Sequence, residues 1–465
     1  MELWQSLYHN ILELKPACSR NKTFLWMCII LMSMMMRYGD HDGVTSIIRM
    51  FGLAPICYDR ILDFLHSPAL DLDILLKLWV SLVLKIFPNP ILINNRFVLI
   101  GDGIKIAKEG KKMPGVKCLH QESDSNSKAE YIMGHSCQAV CLLVGALATA
   151  FAVPLVCRIH EGVVFSNRAR HTLLDKMLTL LECISLPGNF YFVADAYYAA
   201  SKVIHGLLEG NNHLISRVKS NAVAYYQAAT DKKSRRGRPS KYGCKIKLKT
   251  LFSDFEFQSE KSPVYGESCF IKFLSIDLFW RHAGVLVRFV AVDHPKRGKI
   301  ILMSTDLSLD AIEIIRLYGL RFKIEFSFKQ AVHVIGTFAY HFWMKAMKPI
   351  SRCSGNQYLH RESKEYREQV LRKLNTYHRY IQLGIIAQGL LQYLACVKTG
   401  IVWKKFGSWF RTIRIGIPPS ERVAATALKN SLPEFLTNCD LDANLKKFLD
   451  KKIDLTRAEG LRLTG

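Results

Sequence analysis

The sequence predicts an α/β protein with a β-rich insertion in its core and helical regions at both ends. Three observations predict it. From Arg96 onward, short apolar runs of strand composition alternate with helical periodicities, the pattern of an α/β core. Between Lys219 and about Arg297 this alternation gives way to short strand-like pieces around a basic loop. Before residue 90 and beyond Met347, helical spacing dominates. The expected divisions are a helical N-terminal region 1–90, a core from 91–218 and 298–347, the insertion 219–297, and a helical C-terminal region 348–465.

In the N-terminal region, Leu3 to Leu14 is amphipathic. Phe24 to Met36 is an apolar run too short to span a bilayer and suited to a buried helix. Gly43 to Phe64 has two helical periodicities separated by Gly52-Leu53-Ala54-Pro55. This is the outline of a helix–turn–helix, although any pair of antiparallel helices shares it.

In the core, Phe97 to Gly103 reads as a buried strand ending in Asp102-Gly103. A basic loop follows, with Lys105, Lys108, Lys111, Lys112 and Lys117. The run Cys137–Cys157 is long enough for a membrane span. Gly145, Pro154 and the β-branched residues fit two buried strands and a tight turn better. A helix is expected over Ser166–Ile184, a buried strand over Phe190–Asp195, a helix over Ala196–Leu208 and a strand over His213–Val218.

The insertion opens with a basic loop containing Arg235, Arg236 and Arg238, suited to phosphate contact. Strands are expected at Cys244–Leu251, Ser268–Ile276 and Gly284–Val292. Trp280, between the last two, is a candidate for stacking on a base, with a packed tryptophan as the plainer alternative. A strand at Ile300–Ser304 leads to a helix on which Tyr318, Arg321, Glu325 and Lys329 share one face, beside a seam of Leu317, Leu320, Ile324 and Phe328. Farther on, helices are expected at 361–375 and 377–396.

The chain has 64 Lys and Arg against 39 Asp and Glu, a net charge of +25, and is 49% hydrophobic. That hydrophobic content excludes global disorder. The charge points to a polyanionic partner, nucleic acid first and an anionic membrane surface second. The thirteen cysteines include no C-x-x-C and no zinc-like spacing. With no signal peptide at the start, they fit a reducing cytoplasm.

Each acidic residue has a plain reading alone. Asp102 suits a turn, Asp195 a helix N-cap, and Glu325 an ion pair on a solvated helix face. Together, two strand-end aspartates and a later helical glutamate form a set that would repel itself without cations. Magnesium or manganese fits oxygen ligands, and two such ions suit phosphodiester chemistry.

Three stretches carry a resemblance. They are IGDGIKIAKEGKKMPGVK around Asp102, FYFVADAYYA around Asp195, and STDLSLDAIEIIRLYGLRFKIEFSFK around Glu325. Over roughly residues 40 to 345 the chain resembles the DDE transposases of bacterial insertion sequences, in the group with a β-strand insertion before the glutamate. Tyr318, Arg321 and Glu325 match the group's Tyr-x2-Arg-x3-Glu signature. The lysine expected seven residues after the glutamate is replaced by Val332, so Lys329 is the substitute. Asp195 opens Asp-Ala-Tyr-Tyr, not Asp-Arg-Glu-Ala-Asp.

The resemblance implies a ribonuclease H-like core with an insertion. It implies metal-dependent cleavage at transposon terminal inverted repeats and strand transfer into target DNA by a homodimer. Asp102, Asp195 and Glu325 would hold two Mg²⁺ or Mn²⁺ ions, Arg321 and Lys329 would contact phosphates, and Tyr318 would stack or donate a hydrogen bond. The expected setting is the bacterial cytoplasm, at the nucleoid, without a membrane partner. The alternative is a catalytically inactive, repurposed DNA-binding descendant.

Overall fold

The structure, a computed structural model, describes residues 2–37, 39–40, 43–121, 129–146, 149–168, 170–228, 240–264, 266–438 and 443–454. Helices α1 (Glu2–Leu12), α2 (Asn21–Met36), α3 (Val44–Phe51), α4 (Ile56–His66) and α5 (Leu72–Ile86) come first. Then come β1 (Leu92–Ile93), β2 (Arg96–Ala107), β3 (Lys117–His120), β4 (Tyr131–Ala146), β5 (Thr149–Ile159), β6 (Val163–Val164), α6 (Leu173–Glu182), β7 (Phe190–Ala194), α7 (Ser201–Glu209) and β8 (His213–Val218). The next segment holds β9 (Val223–Gln227), β10 (Tyr242–Lys247), α8 (Leu251–Asp254), β11 (Gln258–Lys261), β12 (Phe270–Trp280) and β13 (Val285–His294). The chain continues through β14 (Gly298–Ser304), α9 (Ala311–Leu320), α10 (Phe322–Gln330), β15 (Gln357–Tyr358), α11 (Lys364–Val397), α12 (Thr399–Phe406), α13 (Glu421–Asn438) and α14 (Ala443–Asp450).

Thirteen of the described strands form one mixed sheet, with a main path β10-β9-β12-β13-β14-β8-β7-β2-β4-β3. Its only parallel pairs among the described strands are β2–β7 and β7–β8. β7 is apolar and buried along its whole length, as a strand covered on both faces must be, whereas β2 is buried only from Val98 to Gly101 and β8 leaves Arg217 exposed. The strands of 219–297 are not a separate sheet, because β13 pairs along β14 from Arg288↔Ser304 to His294↔Gly298.

The 137–157 run lies in the antiparallel pair β4–β5. The ladder slips between Val140↔Val156 and Cys141↔Pro154, where proline has no N–H to give. The carbonyl of Pro154 instead accepts from Trp79 Nε1 at 3.0 Å.

The helical layer is built around α11. Two helices are expected between 361 and 396, but one 34-residue helix is present. Neither Pro nor Gly interrupts the junction at 376. Thr376 satisfies its hydroxyl on Arg372 O at 2.9 Å, inside the helix. A Cβ at Gly389 would come within 2.3 Å of the Trp79 ring, so glycine is what lets α5 and α11 close on each other. Among the described residues α11 is the one helix long and apolar enough to cross a membrane, and 89% of its apolar window is buried inside the protein. The apolar α2 is likewise buried nearly all round.

The pair α3–α4 realises the helix–turn–helix outline. Gly52 ends α3 in the left-handed region at φ +58°, and Leu53 N returns to Ile48 O at 3.0 Å. Two helix expectations are trimmed. Thr172 forms a capping box with Asp175, so α6 starts at Leu173 rather than near Ser166. A short 3₁₀ turn, Ala196–Tyr198, stands between Asp195 and α7.

Candidate active site

Asp102 lies inside β2, not at its end. After Ile100 the strand loses its parallel neighbour β7 but keeps β4 from Gly103↔Gln138 to Ala107↔Gly134, so it runs on to Ala107. The Asp-Gly pair is therefore not a turn. Asp195 follows β7 directly. The parallel ladder pairs Phe97 with Phe190 and Ile100 with Val193; two further steps put Asp102 level with Asp195. β7 ends at Ala194, so both aspartates lie at the carboxyl end of a parallel strand, where open α/β sheets place ligands.

Asp195 does cap the turn after it, since its Oδ1 accepts from Tyr197 N at 3.0 Å. Its carbonyl is held by the hydroxyl of Ser216 on β8 at 2.7 Å. The Oδ1 of Asp102 accepts from Gly103 N at 2.7 Å.

Arg321 sits at the joint where α9 ends and α10 begins. Its Nη1 donates to Asp102 Oδ2 and its Nη2 to Glu325 Oε1, each at 2.9 Å. Arg321 is thus the ion-pair partner of both carboxylates, a correction to its reading as a phosphate contact alone. The reason is steric and electrostatic: the joint aims the planar fork into the gap between them. Its guanidinium carbon lies 5.9 Å from the Tyr318 ring centre. Burial pushes the Asp102 carboxyl up to about 6. Arg321 and the Gly103 N–H pull it down, and the charges of Asp195 and Glu325 push it up again. Glu325 is half-exposed, in the first turn of α10, between exposed Phe322 and Phe326. Lys329 is exposed one turn later and bonds to no described residue, while Val332 packs partly buried against the core.

Asp102, Asp195 and Glu325 do not gather their oxygens within 4.8 Å of one another as a set of three. Among the described residues, the one three-donor group gathered within 4.8 Å is Glu267, Cys269 and His294. It is a poor metal site. His294 Nδ1 accepts from the backbone N–H groups of Lys296 and Arg297, so Nε2 carries the proton and donates to Glu267, which Arg297 also pairs.

The basic residues divide. Lys105 and Lys111 are exposed, Lys105 reaching His120 O at 2.7 Å. Lys112 is half-buried, with its ammonium 3.4 Å from Lys345 O. Lys108 is not available to DNA. It is 3% exposed, donates to Phe338 O and to Tyr340 O, and lies 3.9 Å from the Tyr340 ring centre. Arg235, Arg236 and Arg238 lie outside the described residues. Trp280 is buried against Phe289 at 5.7 Å, not free to stack on a base.

Sequence reading missed two features. Arg217, exposed on β8, comes close enough to Tyr318 for its charge to act on that hydroxyl. The Phe322–Phe326 pair flanking Glu325 was visible in the i, i+4 spacing.

Residues 13–253, which include Asp102 and Asp195, match the profile of the family described as DDE superfamily endonuclease. No curated protein matches the chain. A solved structure described as the piggyBac transposase synaptic complex with hairpin DNA aligns over 93% of this chain and 76% of its own, at 11% identity and a TM-score of 0.38. A profile match across more than half of the sequence identifies the family: the chain belongs to the DDE superfamily endonucleases.

Proposed function

We propose that the protein is a DNA transposase that cleaves at the ends of its element and transfers the freed 3′-hydroxyl into target DNA, on a ribonuclease H-like core. The observation that carries this reading is the level placement of Asp102 and Asp195 beside a helix bringing Glu325, with Arg321 spanning two of the three acids. DDE nucleases use divalent metal ions, and the residues present fit one. They offer only hard oxygen donors, and the upward push of Asp195 and Glu325 on Asp102 is the repulsion a cation relieves. Asp102, Asp195 and Glu325 would hold Mg²⁺ or Mn²⁺, two ions in the fullest form. Bound metal supplies charge stabilisation and an acidified water.

This chain's residues do the remaining work. Arg321, released from the carboxylates it bridges, turns its fork to a non-bridging phosphate oxygen. Lys329 adds positive charge one turn along the same face. Tyr318, beside Arg321, donates a hydrogen bond or stacks near the cleaved strand. Lys105, Lys111 and Lys112 extend this surface along DNA, and Arg235, Arg236 and Arg238 of the insertion do likewise. A homodimer holding two element ends, in the bacterial cytoplasm, is part of the proposal.

The second reading, a repurposed DNA-binding protein without catalysis, is favoured by one observation: Arg321 already pairs with both Asp102 and Glu325. Incubating the protein with duplex carrying the DNA that flanks its coding region separates the two. Mg²⁺-dependent nicks with 3′-hydroxyl ends support the transposase. Binding without nicks supports the repurposed protein.

A further inference from the structure

The segment joining α12 to α13 is pinned at both ends and bare between. Gly407 closes α12 at φ +51°. Asn430 Nδ2 donates to Lys405 O at 3.2 Å and to Phe406 O at 2.7 Å. At the other end Trp403 Nε1 donates to Ile417 O at 3.0 Å. Phe410 forms the base, edge-on to Phe406 at 4.9 Å and 4.6 Å from the Arg422 guanidinium.

Above that base the strap is apolar and cationic at once. Trp409 is fully exposed at 102% and Ile415 at 88%, with Ile413 half-exposed. Large apolar side chains gathered in water beside cations mark an interaction surface. The side chains of Arg411 and Arg414 are exposed and make no ion pair or hydrogen bond with any described residue; the Arg414 carbonyl accepts from Ile417 N at 3.1 Å within the strap. Between Lys398 and Arg422 the sole acidic residue is Glu421, which is buried and bonded to Gln392. The strap therefore presents uncompensated positive charge.

Arginines entering a groove beside apolar wedges that part a base step are a recurring means of gripping DNA.

We propose that 407–417 is a DNA-binding strap. Arg411 and Arg414 contact the phosphates or minor groove, and Trp409 with Ile415 presses against a base step. This rests on the transposase reading.

The test is fluorescence anisotropy of a labelled 30-bp mixed-sequence duplex with the full-length protein, titrated across salt. Trp409→Ala should weaken binding about 5- to 50-fold. Arg411→Gln/Arg414→Gln should reduce the slope of log affinity against log salt by about 2. Affinity and slope both unchanged would overturn the proposal. So would an effect confined to binding of phosphatidylserine vesicles, or to self-association by sedimentation. Mg²⁺-dependent nicking in the same preparations keeps the two readings apart. Wild-type nicking with unaffected strap variants overturns the strap alone. Weakened strap variants without wild-type nicking overturn the transposase alone.

Discussion

Asp195 stands level with Asp102 because the 93-residue spacing between them is also the register offset of the parallel pair β2–β7, Phe97 to Phe190 and Ile100 to Val193. A connection of β3, β4, β5, β6 and α6 separates the two strands, yet the ladder fixes their aspartates side by side. A one-residue slip would turn one carboxylate to the other face of the sheet.

Divalent metal should bind this pair and stabilise the fold. At Mn²⁺ a hundredfold above its dissociation constant, stability rises by about 2.7 kcal/mol. Thermal melts should show an upward shift for wild type and little or none for Asp195→Asn.

Arg321 should matter most when metal is absent. Arg321→Gln leaves Asp102 and Glu325 facing each other without a cation and should cost about 1–3 kcal/mol in chelator. Adding Mn²⁺ should recover much of that loss. Arg321→Lys keeps the charge but cannot fork to both carboxylates, so its melting temperature should fall between wild type and Arg321→Gln.

The long helical and strand expectations were legible in the sequence because apolar periodicity is local. Asp195 follows a five-residue apolar run, and Glu325 shares a face with Arg321 by simple 3- and 4-residue spacing. What was not legible depends on distant partners. β2 passes through Asp102-Gly103 because β4 stays beside it. Lys108 resembles its exposed neighbours in sequence, but Phe338 and Tyr340 enclose it from 230 residues away. Arg321 looked like a helix-face cation until Asp102, 219 residues earlier, took one of its nitrogens.

Lys108→Met should therefore lower stability with little change in DNA affinity. Lys111→Gln should weaken DNA binding at low salt and reduce the salt slope by about 1. Anisotropy and melting curves on both variants separate the two behaviours.

Acid should destabilise the fold through two histidines, the fully buried His135 and the half-buried His378. His135 donates from Nε2 to Pro114 O and accepts at Nδ1 from the Tyr340 hydroxyl; His378 Nε2 accepts from Ile159 N. Burial pushes each down to about 3. The folded protein thus holds them neutral while the unfolded chain protonates them near 6.5. Their stabilisation is whole above that pH and lost as pH falls toward 3, at about 1.4 kcal/mol per site for each pH unit. Melting temperature should drop steeply below pH 6.5, and less steeply for His378→Gln.

The most direct measurement is strand nicking by Glu325→Gln beside wild type, on duplex bearing the element's ends, with Mg²⁺ and with chelator. Three acids forming one metal-dependent centre predict nicking by wild type only with Mg²⁺, none by the variant, and equal DNA affinity for both. Nicking by Glu325→Gln at the wild-type rate would contradict the account.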